Sequence, residues 1–151
     1  MKLSKKIKYL CTYVWKRVST WVENNYEIGI YLGGACVIAS YALYRILKHK
    51  GFSPTLVMAM DKNEYHGHCW VELDDTVIDL TPRQFDPDLP DILYSKRKTY
   101  PSRIPKIKEY INIKTNNDAI KEFDEWLIMQ QPVIYKSKLN RLITESNYIG
   151  I

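Results

Sequence analysis

Residues 65–85 read YHGHCWVELDDTVIDLTPRQF. Side chains suited to inner and outer faces alternate from Gly67 to Leu73 and again from Thr76 to Leu80, with Asp74–Asp75 between the two runs. Alternation with period two marks strands, and a two-residue connection joins them as an antiparallel hairpin. That turn pairs Leu73 with Thr76, Val71 with Ile78, Trp70 with Asp79, and Cys69 with Leu80. One face then carries Cys69, Val71, Leu73, Ile78 and Leu80. The other carries His68, Trp70, Glu72 and Asp79. His68 and Asp79 become diagonal neighbours, roughly 7–8 Å apart between backbones and within reach of polar side chains. A carboxylate beside an imidazole orients it as a general base. A purely structural His–Asp ion pair is the plainer reading of the same spacing.

A base of this kind needs a nucleophile. Cys69 points to the opposite face from His68 and reads as a core residue. Cys36 follows Gly33–Gly34 and opens the run CVIASYALYRILKHKG, which suits a helix with Lys48, His49 and Lys50 in its last turn and Gly51 as its stop. The first three turns of this helix are apolar on nearly every side, so it is expected to be buried. A helix N-terminus favours a thiolate, and its amides can hold an oxyanion. The glycines allow a substrate to approach, Gly34 closest to the cysteine. Cys36 as an ordinary core residue is the alternative, since free cysteine is commonly buried. Cys11 reads as structural.

Working outward, Leu3, Ile7, Leu10, Val14 and Val18, with Trp21 or Val22, recur at helical spacing with a basic opposite face, so residues 1–25 form an amphipathic helix. Its apolar stripe is read as packing on the domain rather than lying on a membrane. Thr55–Met60 is a short β-type run. Residues 86–105 belong to a proline-rich loop; from Thr81 to Pro105 there are five prolines. Residues 106–151 hold a strand near Ile107–Ile113, a helix capped by Asn117 with Pro132 beyond its end, and a short final helix around Ser137–Glu145. The expected architecture is a single α+β domain over 1–151, with the core of the site in residues 33–85. In it, a buried helix carrying the nucleophile packs on a small antiparallel sheet, flanked by N- and C-terminal helices.

The chain has 151 residues, 46% hydrophobic and 26% charged, which suits one globular domain with a proper core. The net charge of +5 is unevenly spread: Lys2, Lys5, Lys6, Lys8, Lys16 and Arg17 cluster at the start, and Lys96 to Lys108 form a second basic run. A solvated surface explains this charge, with weak contact of the basic N-terminal helix to a membrane or partner as the sharper option. No specific nucleic-acid partner is implied. Three cysteines without a CxxC pair point to neither a disulfide framework nor a zinc site, and so to a reduced, cytoplasmic setting. One stretch complicates this: Ile28 to Tyr44 is seventeen residues without a charge, and a membrane anchor spanning 28–47 is a rival reading.

A cysteine heading a helix, then HCWVEL, then VIDLTP, resembles the transglutaminase-like superfamily of papain-type cysteine enzymes. The matching residues are Cys36, His68 with Trp70, Val71 and Glu72, and Asp79 with Thr81 and Pro82. The resemblance spans roughly Gly33 to Phe85. It implies a catalytic triad in which Cys36 attacks a carbonyl, His68 moves protons and Asp79 holds the imidazole. The thioacyl intermediate then passes to water or to an amine. Peptide or isopeptide amides of a peptide or protein substrate are the implied targets. Trp70, Gly34 and Gln84 are expected to line the substrate site, with Arg83 beside Gln84 at the cleft entrance and His66 outside the matching pattern. No cofactor or metal is implied; some animal members use calcium, but no calcium-loop pattern is present. A catalytically inactive binding module of the same fold is the remaining alternative.

Overall fold

In the computed structural model, which describes residues 3–24, 32–64, 66–129 and 132–149, the hairpin is present with the register that the alternation predicts. Strand β2 (Gly67–Leu73) pairs with β3 (Thr76–Asp79) through Val71–Ile78, Glu72–Val77 and Leu73–Thr76. Asp74 takes the left-handed conformation the tight turn requires, with φ of 55°. Strand β1 (Thr55–Met60) lies antiparallel on the other side of β2. Two further strands, β4 (Leu93–Lys96) and β5 (Asn112–Thr115), complete an antiparallel five-stranded sheet of order β4-β3-β2-β1-β5.

Both faces of this sheet are covered. On one, Leu56, Met58, Cys69, Val71, Leu73, Ile78 and Leu80 join a core with helices α1 (Lys5–Asn24) and α2 (Leu32–His49). These include all five residues expected on the apolar face of the hairpin. Leu3, Ile7, Leu10, Val14, Val18 and Trp21 are buried there too, so the apolar stripe at the start of the chain packs on the protein itself. The short helix α3 (Tyr100–Arg103) belongs to the opposite face, while α4 (Asn116–Met129) and α5 (Pro132–Glu145) contribute Ala119, Phe123, Leu139 and Leu142 to the main core. Mixed helix and antiparallel sheet is the α+β class.

Several expectations need correction: the strand expected near Ile107–Ile113 is β5 at Asn112–Thr115, with Ile107 in a 3-10 turn, and Asn117 lies inside α4 rather than capping it. Helix α2 begins at Leu32, not near Cys36: Gly33 and Gly34 are taken into its first turn. Each glycine costs about 1 kcal/mol in a helix, and burial of Ala35, Cys36, Ile38 and Ala39 against the rest of the core outweighs this. The stretch from Thr81 to Pro105 is not one loop. It holds β4, α3 and a turn of 3-10 helix at Pro82–Gln84, and a second 3-10 segment follows at Pro105–Glu109. Here prolines start short helices, where a missing N–H costs nothing. Leu93, Tyr100, Ile104, Ile107 and Tyr110 form a second core with Val57, Ala59, Trp70 and Val77. That core covers the sheet face which carries His68.

The rival span at 28–47 falls partly on residues 25–31, outside the described residues. Among the described residues no helix is long and apolar enough to cross a membrane.

Candidate active site

His68 is the second residue of β2 and Asp79 ends β3, so antiparallel pairing brings them to the same end of the sheet. The diagonal relation is a hydrogen bond: His68 Nε2 lies 2.8 Å from Asp79 Oδ2, and neither side chain is exposed to solvent. The carboxylate is fully satisfied by donors. Thr81 donates its backbone N–H to Oδ1 at 2.9 Å, and Tyr100 donates its hydroxyl to Oδ2 at 2.7 Å. Burying an ionised group is tolerated only with this kind of compensation.

With Nε2 held by Asp79, Nδ1 is the nitrogen left for chemistry. It is sealed from solvent and makes no hydrogen bond of ordinary geometry. Cys36 is the neighbour that acts on the ring: burial alone would push the imidazole pKa down, but the charge and hydrogen bond of Asp79, followed by those of Cys36, raise it from 6.5 to about 10. Resting catalytic pairs often tighten into a well-aligned hydrogen bond only when substrate binds. Aromatic rings wall the imidazole. Phe85 meets it edge-on at 4.7 Å between centroids, and Trp70 lies 6.0 Å away.

The helix and strand that carry the pair are tied together. Ser40, one turn beyond Cys36, donates its hydroxyl to the carbonyl of Cys69, the residue after His68, at 3.0 Å. In a regular helix starting at Leu32, the amide of Cys36 bonds back to the carbonyl of Leu32. It is thus not one of the free amides at the helix end, against the expectation that it would hold an oxyanion.

The other two cysteines are also buried. Burial pushes the Cys11 thiol up to about 12, although Tyr94 and Lys8 act in the opposite direction. Burial, with the charge of Cys36 next, raises the Cys69 thiol well above its ordinary range. Buried thiols held in this way are poor nucleophiles. All three cysteines are unbridged. Among the described residues no group of three His, Cys, Asp or Glu is arranged to hold a metal ion.

The residues expected to line the substrate site fall in different places. Trp70 is 5% exposed and packs in the second core, with its ring 5.1 Å from Tyr100 and its Nε1–H donated to Glu72 at 3.2 Å. Gly34 lies in the first turn of α2. Gln84 and Arg83 line a cavity of about 350 Å³ between α1, α2 and the segment after β3, with Ala35, Ala39, Leu80 and Thr81 on its inner wall. Cys36 is not among its lining residues, although its neighbour Ala35 is. His66 is exposed before β2.

Tyr100, Ser40 and Phe85 were not visible as site residues in the sequence. Tyr100 carries one local signal, the Pro101 that follows it at the start of a helix. Nothing in its spacing ties it to Asp79.

Residues 15–87 match the model of the transglutaminase-like superfamily. The match runs from the middle of α1 through α2 and β1–β3. No curated protein and no solved structure matches the chain.

Proposed function

We propose that the protein is a cysteine-dependent hydrolase or acyltransferase of the papain type, acting on peptide or isopeptide amides through Cys36, His68 and Asp79. One observation carries this reading. A buried imidazole is anchored through Nε2 to a carboxylate, while its sealed, unpartnered Nδ1 is left for a neighbouring thiol. A histidine buried for structure alone would be expected to satisfy both nitrogens. The match of residues 15–87 to the superfamily model supports the same conclusion.

In this reaction the Cys36 sulfur adds to the carbonyl carbon and its proton resides on His68. The C–N bond breaks as His68 returns that proton to the leaving nitrogen, giving a thioester on Cys36. Water or an amine then attacks the thioester, with His68 taking the proton of the attacking group, and Cys36 is released. Asp79 holds the imidazole tautomer and orientation throughout, and balances its charge when it is protonated.

An activated ester such as p-nitrophenyl acetate tests the assignment without knowledge of the natural substrate. The expected result is a burst of nitrophenol and an acetyl group mapped by mass spectrometry to Cys36, both lost in Cys36→Ala and strongly reduced in His68→Gln. Acetylation absent from Cys36 in folded protein would reject an active enzyme and favour a binding module of the same fold.

A further inference from the structure

Tyr100 lies beyond the residues that match the superfamily, yet its side chain completes the carboxylate that the matched residues supply. The residue is 2% exposed. Its hydroxyl and His68 Nε2 contact the same oxygen, Asp79 Oδ2, at 2.7 and 2.8 Å. The other oxygen is occupied by the Thr81 amide. The phenol is held in place by its own surroundings: the ring packs on Trp70, Pro101 sets the backbone of α3, and the Tyr100 carbonyl accepts the Ile104 N–H at 3.1 Å. Two donors on one oxygen divide its charge between them. The stronger the phenol's hydrogen bond, the less negative charge Asp79 presents to the imidazole.

We propose that Tyr100 is a positioning residue of the Cys36–His68–Asp79 site. Its hydroxyl fixes the Asp79 carboxylate and sets the strength of the hydrogen bond that orients His68. The inference rests on the functional reading above and extends it to a residue outside the matched segment. The charged and titratable groups that act most on the two rings come from β2, β3 and α2. His68 meets Asp79 from β3 and Cys36 from α2. Tyr100 meets Asp79, with Cys36 and Cys69 as weaker neighbours. Burial, followed by the Asp79 charge, raises the phenol pKa far above its ordinary range, so Tyr100 stays a donor.

The test is an NMR titration of His68 in the full chain, where only three histidines need assignment. Tyr100→Phe keeps the ring and removes the donor. It is expected to raise the His68 midpoint by about 0.5 pH unit or more, and to shift the pH dependence of iodoacetamide alkylation at Cys36 in the same direction. Biosynthetic 3-fluorotyrosine, whose phenol is the stronger donor, is expected to lower the midpoint. This second experiment adds one fluorine to each of the twelve tyrosines, keeps the donor at position 100, and decides the matter should Tyr100→Phe fail to fold. A tyrosine that only fills space would leave the titration unchanged in both, and that result overturns the proposal. If His68→Gln alters Cys36 alkylation while neither tyrosine change does, the Tyr100 role alone is wrong. If His68→Gln leaves Cys36 alkylation unchanged, the Cys36–His68–Asp79 reading fails and the role of Tyr100 falls with it.

Discussion

Ser40 and Cys69 join the two elements on which the site depends: the serine hydroxyl of α2 donates to the cysteine carbonyl of β2 at 3.0 Å, in a fully buried contact. Ser40 follows Cys36 by one helical turn and Cys69 follows His68 by one residue, so this bond helps to set the spacing of thiol and imidazole. Ser40→Ala is expected to cost about 1–3 kcal/mol, because it leaves a buried carbonyl without its side-chain partner. It is also expected to slow alkylation of Cys36. Urea denaturation and a timed iodoacetamide reaction measure the two effects. Loss of stability with unaltered alkylation would show that the bond serves the fold alone.

Cys36 and Cys69 belong to the same core but should respond differently to truncation. Cys36→Ala is expected to abolish ester turnover in a folded chain. Cys69→Ala is expected to retain turnover and to cost on the order of 1 kcal/mol, for a buried sulfur removed from a packed sheet face. Circular dichroism and initial rates compare them. Equal loss of turnover in two folded variants would contradict the assignment of Cys36 as the nucleophile.

The His68 shift makes stability depend on pH in a defined direction. Its pKa is raised on folding, from 6.5 to about 10, so the folded state binds the proton more tightly than the unfolded chain. The resulting stabilisation is full below about pH 6.5 and is lost as pH rises toward 10. Urea midpoints of the natural chain and His68→Gln, compared across that window, should converge as pH increases. A constant difference would mean that imidazole protonation does not contribute.

Gly67 is expected to tolerate no side chain. A methyl group there would meet the Ala59 carbonyl oxygen at 2.8 Å and Met60 Cγ at 2.9 Å. The methionine side chain can move, but the backbone oxygen belongs to the strand pairing in which Ala59 faces His68. Gly67→Ala should force β1 and β2 apart at the His68 end and cost about 1–3 kcal/mol. Thermal or urea unfolding reads this directly, and unchanged stability would show that the strand end yields freely.

The hairpin was legible because period-two alternation, turn length and the choice of apolar residues all agree from Cys69 to Leu80. The same agreement made the contact between His68 and Asp79 foreseeable. The start of α2 was not legible, since Gly33–Gly34 locally signals a break and only tertiary burial overrides it. Strand β4 was hidden for a related reason. Leu93 and Ser95 are its inward residues, but the charges and prolines around LYSK give the pattern of a loop. Tyr100 reaches Asp79 across 21 positions that include a 3-10 turn and β4, and no periodicity encodes such a distance. Trp70 shows a different limit. Its place in the motif was clear, but only the three-dimensional structure reveals Tyr100 and the second core packed on its ring.

The long stretch after β3 carries a consequence for how this protein can be divided. The superfamily match stops at residue 87, whereas the phenol that holds Asp79 arrives at residue 100. A boundary drawn at the end of the match would sever the site, with thiol, imidazole and carboxylate on one piece and the third donor to that carboxylate on the other. It would also strip Trp70 and Val77 of their cover. Grafting the motif into another scaffold would therefore require the unmatched segment to travel with it.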